Sequence, residues 1–95
     1  MKTRDDPVLD DELADLEFTG QTHEHLPWLH TLARNVRHFR RAQKVSQQAL
    51  ADRCGIYRTY LSRIETGKCN PSLTVLVTLS NALDIQPHAL LVPLD

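Results

Sequence analysis

QQALADRCGIYRTYLSRI, residues 47–64, is the stretch whose reading decides the fold. Two helices joined by one tight turn can cross steeply only if their closest contact is small and the turn residue tolerates positive φ. Ala51 supplies the small contact and Gly55 the turn, while Leu50, Ile56, Leu61 and Ile64 supply the apolar contacts between the pair. All six in register predict a helix-turn-helix unit over about 46–66. On a helical wheel Leu61 and Ile64 share one side, with Tyr57 between them. Thr59, Ser62, Arg63 and Thr66 cluster on the other side, flanked by Arg58. That second face holds short polar groups between two arginines and no acid. It suits a major groove, where a guanidinium can bind guanine O6 and N7 and a threonine can meet a thymine methyl.

Outward from this core, the helical period continues in both directions. Leu29, Leu32, Ala33, Val36 and Phe39 form an apolar stripe, and Pro27 suits the first turn of the helix carrying it. Ser46 is a serine cap for the next helix, with Leu50, Ala51 and Cys54 facing inward. A third helix is expected from about Tyr57 to Thr66, stopped at Gly67. Asn70-Pro71-Ser72 resets the chain, Leu73, Leu76, Leu79 and Leu83 mark a fourth helix, and Pro87 opens a short fifth segment. No alternating strand pattern of useful length occurs, so the fold class is all-α.

The chain has 95 residues, 41% hydrophobic and 24% charged, which suits one soluble domain. It contains no apolar run of the length a membrane span needs, and its acidic N-terminus lacks the apolar segment of a secretory leader. A cytoplasmic location, nucleoid-associated when bound to DNA, is the expectation. The net charge of −1 conceals a division. Residues 1–28 carry two bases and eight acids, a charge of −6, whereas residues 29–95 carry nine bases and four acids, a charge of +5. All nine of those bases lie between Arg34 and Lys68. Such asymmetry points to a polyanionic partner. The domain reading is therefore an acidic arm over 1–26, disordered or a short helix through Leu9, Leu13 and Leu16, followed by a DNA-binding domain over 27–95.

These residues resemble the Cro/repressor-type helix-turn-helix family, also called the XRE family. The resemblance runs from Leu32 to Leu91, about 60 residues, and rests on FRRAQKVSQQALADRCGIYRTYLSRIETGKCNPSLTVLVTLSNALDI. Its serine-glutamine start, the IExG ending and the NPSL linker are specific to the family in combination. The resemblance implies a compact five-helix, lambda-repressor-like domain that binds a palindromic operator as a homodimer, most often as a repressor of transcription. It implies that Arg58, Thr59 and Arg63 read bases with Ser62 beside them. Gln47 is implied to touch a phosphate and brace the reading helix, and Lys68 to meet phosphate. Ser46, Tyr57 and Tyr60 are further candidates for contact with the DNA backbone. Arg40 and Glu65 are implied to form a structural ion pair tying the first helix to the third.

Three positions depart from the family pattern. Lys44 stands where a glycine usually ends the first helix, which predicts roughly 1 kcal/mol of backbone strain. Tyr57 replaces a serine or threonine cap, so its ring either lies against the DNA backbone or shields the core. Cys69 stands where a basic or polar residue is common, and is expected to be exposed, whereas Cys54 is expected to be buried.

Other chemistries find little support. His23, His25, His30 and His38 lack a further ligand pair at helical spacing, so no metal site is expected. No cofactor is implied, and no nucleophile elbow, phosphate loop or paired carboxylate suggests an enzyme. The competing class is an antitoxin or adaptor whose acidic arm grips a protein partner, with DNA binding secondary; the arm could also fold back on the basic body. Trp28 and the terminal LLVPL carry more apolar surface than a terminus usually exposes, and either close the core or form a symmetric dimer patch. A dimer would set two recognition helices near 34 Å apart, one DNA turn.

Overall fold

The computed structural model describes the backbone of residues 22–94 and the side chains from Pro27 onward. The elements in order are α1 (Thr22–Ala42), α2 (Gln47–Cys54), α3 (Arg58–Glu65), α4 (Leu73–Leu83) and a 3₁₀ turn (Pro87–Leu90). Among the described residues there is no strand. The last segment is a single turn of 3₁₀ helix and not a fifth α-helix: the Ala89 amide bonds the Gln86 carbonyl and the Leu91 amide the His88 carbonyl, each three residues back.

Each boundary has a local cause. The Ser46 side chain accepts from the Ala49 amide at 3.0 Å and starts α2, and Gly55 ends it at φ 70°. Ser72 caps α4 in the same way through the Val75 amide. α1 begins five residues before Pro27, so this proline sits inside the helix and not at its start. It removes one backbone bond near the helix end, where only the first turn lies beneath the ring. The acidic arm expected over 1–26 lies outside the described residues except where α1 crosses its end.

The core is one cluster: Leu32, Val36, Leu50, Ala51, Leu61, Ile64, Leu79, Leu83 and Leu90. α1 packs against α3 and the 3₁₀ turn, α2 against α3 and α4. Leu29 and Phe39 of the α1 stripe are half-buried at its rim. Cys54 and Cys69 are both half-buried, neither enclosed nor fully exposed. Burial pushes the Cys54 thiol above its ordinary pKa, opposed in part by the Arg53 guanidinium.

Lys44 adopts φ 59°, the left-handed conformation that a side chain disfavours. The turn persists because Arg40 Nη1 donates to the Val45 carbonyl at 2.9 Å and the Val45 amide bonds the Arg40 carbonyl at 3.2 Å. Lys44→Gly is expected to raise stability by about 0.5–1 kcal/mol, the relieved strain slightly exceeding the added freedom of the unfolded chain. A higher denaturant midpoint with an unchanged slope is the result to look for.

One tie was not legible from apolar spacing. Asn35 is fully buried in α1, and its Nδ2 donates to the carbonyls of Leu90 at 2.8 Å, Val92 at 2.9 Å and Ala89 at 3.3 Å. The C-terminal segment is thereby fastened to the first helix, and Leu90 closes the core. Leu91 and Val92 then emerge onto the surface. The two readings of LLVPL divide along the segment: its first leucine seals the interior and the next two residues face outward.

Candidate nucleic-acid interface

The orientation of α3 is set by its last residue. Glu65 is 1% exposed, and its carboxylate is gripped by three donors from two other helices. Arg40 of α1 donates through Nε to Oε2 at 2.7 Å and through Nη2 to Oε1 at 3.0 Å, a two-pronged pairing. Gln47, the first residue of α2, donates through Nε2 to Oε1 at 2.9 Å. Arg37 of α1 adds a bond from Nη1 to the Glu65 backbone carbonyl. One carboxylate thus joins α1, α2 and α3. Gln47 has a bracing role in this arrangement, and Arg37 is a brace that the wheel did not single out.

With its buried side fixed by Leu61, Ile64 and Glu65, α3 turns Arg58, Thr59 and Arg63 outward, all three exposed, with Ser62 half-buried among them. Arg58 and Thr59 occupy the first turn, the part of a recognition helix that reaches base edges. Arg63 lies in the last turn, and its Nη2 donates to the Lys68 carbonyl at 3.0 Å. That bond leans the guanidinium toward the loop after the helix while leaving its other N–H groups free of described partners. The Thr66 hydroxyl donates within the helix end, 2.9 Å from the Ser62 carbonyl. Lys68 is exposed.

The two tyrosines stand in different surroundings, and Tyr57 departs from the wheel reading. Tyr57 is 84% exposed and provides no side-chain cap to α3. It precedes the helix in extended backbone, so the helical angle that placed it among Leu61 and Ile64 does not apply. Shielding of the core is therefore not its role. Tyr60 is instead half-buried and packs against the core cluster. Ser46 is exposed at the mouth of α2 with its hydroxyl oxygen engaged by the Ala49 amide. No group of three or more metal-ligating side chains occurs among the described residues; His23 and His25 lie outside the described side chains.

Capped α2, glycine turn and braced α3 define a helix-turn-helix protein whose third helix exposes a basic face. The chain belongs to the helix-turn-helix family HTH_3, whose model matches residues 36–90. The family's members are transcriptional regulators and not enzymes. Among similar proteins, the control protein C.SmaI of Serratia marcescens is 38% identical over 60 residues, 63% of this chain and 71% of that protein. The immunity repressor of Bacillus phage phi105 is 35% identical over 60 residues, where the match spans 63% of this chain but only 42% of the repressor. The restriction-modification controller protein C.AhdI of Aeromonas hydrophila has a similar structure, with TM-score 0.64 and 37% identity over 65% of this chain and 94% of that one. The hypothetical transcription factor NHTF from Neisseria has TM-score 0.68 at 36% identity, covering 70% and 76% of the two chains. No described helix is long and apolar enough to cross a membrane.

Proposed function

We propose that the chain is a sequence-specific repressor of transcription that binds a two-fold operator as a homodimer. The observation that carries this reading is the exposed, acid-free face of α3, where Arg58 and Thr59 stand at the end of the helix that enters the groove. Arg58, Thr59 and Arg63 read bases with Ser62 beside them; Lys68, Ser46, Gln47 and Tyr57 meet the sugar-phosphate backbone and set register. Gln47 serves through whatever donor capacity its bond to Glu65 leaves. The similar C.AhdI and C.SmaI are controller and control proteins and the phi105 protein is a repressor by name, which supports the regulatory reading. The dimer contact runs through the exposed Leu91 and Val92 beside the core-sealing Leu90.

Selection of bound duplexes from a random pool, followed by footprinting, tests the proposal. A two-fold symmetric protected site supports it, and the absence of any preferred sequence removes it. Arg58→Ala or Arg63→Ala is expected to cost about 1–3 kcal/mol of specific binding and to relax preference at one position of each half-site. Lys68→Ala weakens all sequences alike and lowers the salt slope by about one per subunit. An Arg58→Ala protein with undiminished sequence preference would remove the base-reading assignment.

A further inference from the structure

α1 carries a second basic surface that the reading face does not use. Arg34, Arg37, His38 and Arg41 recur at i, i+3, i+4 and i+7, one strip of the helix. With Ala42 and Leu94 they line an open groove of about 450 Å³. Arg37 spends one N–H on the Glu65 carbonyl. Arg34, His38 and Arg41 are exposed, and among the described residues no carboxylate pairs with them. None of the described acids lines this groove: Glu65 is buried against Arg40, Asp52 accepts from Gln48, and Asp84 ends α4 through its backbone.

We propose that this groove is the docking site of the chain's own acidic segment, residues 5–17. Three observations select that occupant. Residues 1–21 carry seven acids against two bases, the charge complement of the groove. The segment joins the domain at the N-terminus of α1, the same helix that forms the groove wall. The distances also agree. Arg34 to Arg41 lie 12 to 19 residues into the helix from Thr22, roughly 18–28 Å along its axis. A segment turning back at Gly20 brings acids to that distance in either backbone form. At roughly 1.5 Å per residue Asp5 and Asp6 fall there, and at about 3.4 Å per residue Glu12 does. Leu94 and Ala42 supply the apolar part of the lining, the complement of Leu9, Leu13 and Leu16 in the acidic segment. The docked segment offsets charge on the body, so that it tunes long-range attraction to any polyanion without occupying α3.

Limited proteolysis of the intact chain by a glutamate-specific protease, followed by mass spectrometry, tests this. No DNA is present, so the outcome is independent of the regulatory reading. At low salt, cleavage at Glu12 and Glu17 is expected to be about tenfold slower in the native protein than in Arg34→Glu/Arg41→Glu, and high salt should erase the difference. The charge-matched variant Arg53→Glu/Arg58→Glu, with both changes off the groove, should be cleaved like the native protein. Circular dichroism verifies that each variant is folded. Equal cleavage of the native and groove variants, or equal acceleration by the control variant, would overturn the proposal. Protection that grows with protein concentration would assign the groove to the segment of a second copy instead.

Discussion

Glu65→Ala is expected to cost about 3–5 kcal/mol of folding stability, because it strands a charge that has little access to water. Arg40 is only 11% exposed and both of its prongs end on the Glu65 carboxylate. Removing that acceptor leaves a guanidinium without its counter-charge and also frees the Gln47 amide. Against a total stability of roughly 5–15 kcal/mol for a small domain, this loss can unfold much of the population at physiological temperature. A double variant, Arg40→Met/Glu65→Leu, should recover most of the loss, since burying two apolar side chains of similar size can equal or exceed a buried ion pair. Chemical denaturation of the native chain, Arg40→Met, Glu65→Leu and the double variant closes the cycle that gives the coupling energy. Equal midpoints for Glu65→Ala and the native chain would show that the carboxylate is not a structural tie.

The second large effect is expected at Asn35. Asn35→Leu keeps the branched shape of the side chain but removes the donor that serves the Ala89, Leu90 and Val92 carbonyls. Buried acceptors without donors cost about 1–3 kcal/mol each, partly offset because the substitution also removes the buried Asn35 Oδ1, which accepts no hydrogen bond. A net loss of about 2–4 kcal/mol follows. The change is also local: the amides of Leu91, Val92 and Leu94 should exchange with solvent faster than in the native chain, while those of α2 and α3 are accelerated less. Uniform exchange across the domain would contradict the view that Asn35 fastens the C-terminal segment.

The helix-turn-helix unit was legible because several local rules agree on it. Ser46, Ala51 and Gly55 each satisfy a backbone requirement, and Leu50, Leu61 and Ile64 satisfy the same packing register. The family resemblance supplied the reading of Glu65, since a glutamate at the edge of an apolar face does not announce its partner 25 residues away. Asn35 was passed over because polar residues are read as surface by default. Its position three after Leu32 and four before Phe39, within the buried stripe, was the available signal. Tyr57 was misplaced because the wheel assumes helical backbone one residue too early. The C-terminal turn is four residues long, too short for periodicity to tell one helix type from another.

α1 holds both Asn35, which fixes the C-terminal segment, and Arg37 and Arg40, which fix α3. In a dimer joined through Leu91 and Val92, the contact that sets one subunit against the other and the helix that enters the groove hang from the same rod. No flexible linker intervenes between them. The molecule would then behave as a caliper with a fixed opening: it discriminates operators by the spacing of their halves as well as by their letters. Adding or removing a base pair between the halves shifts the second site by about 3.4 Å and rotates it round the duplex, a mismatch that a jointed protein could absorb and this one could not.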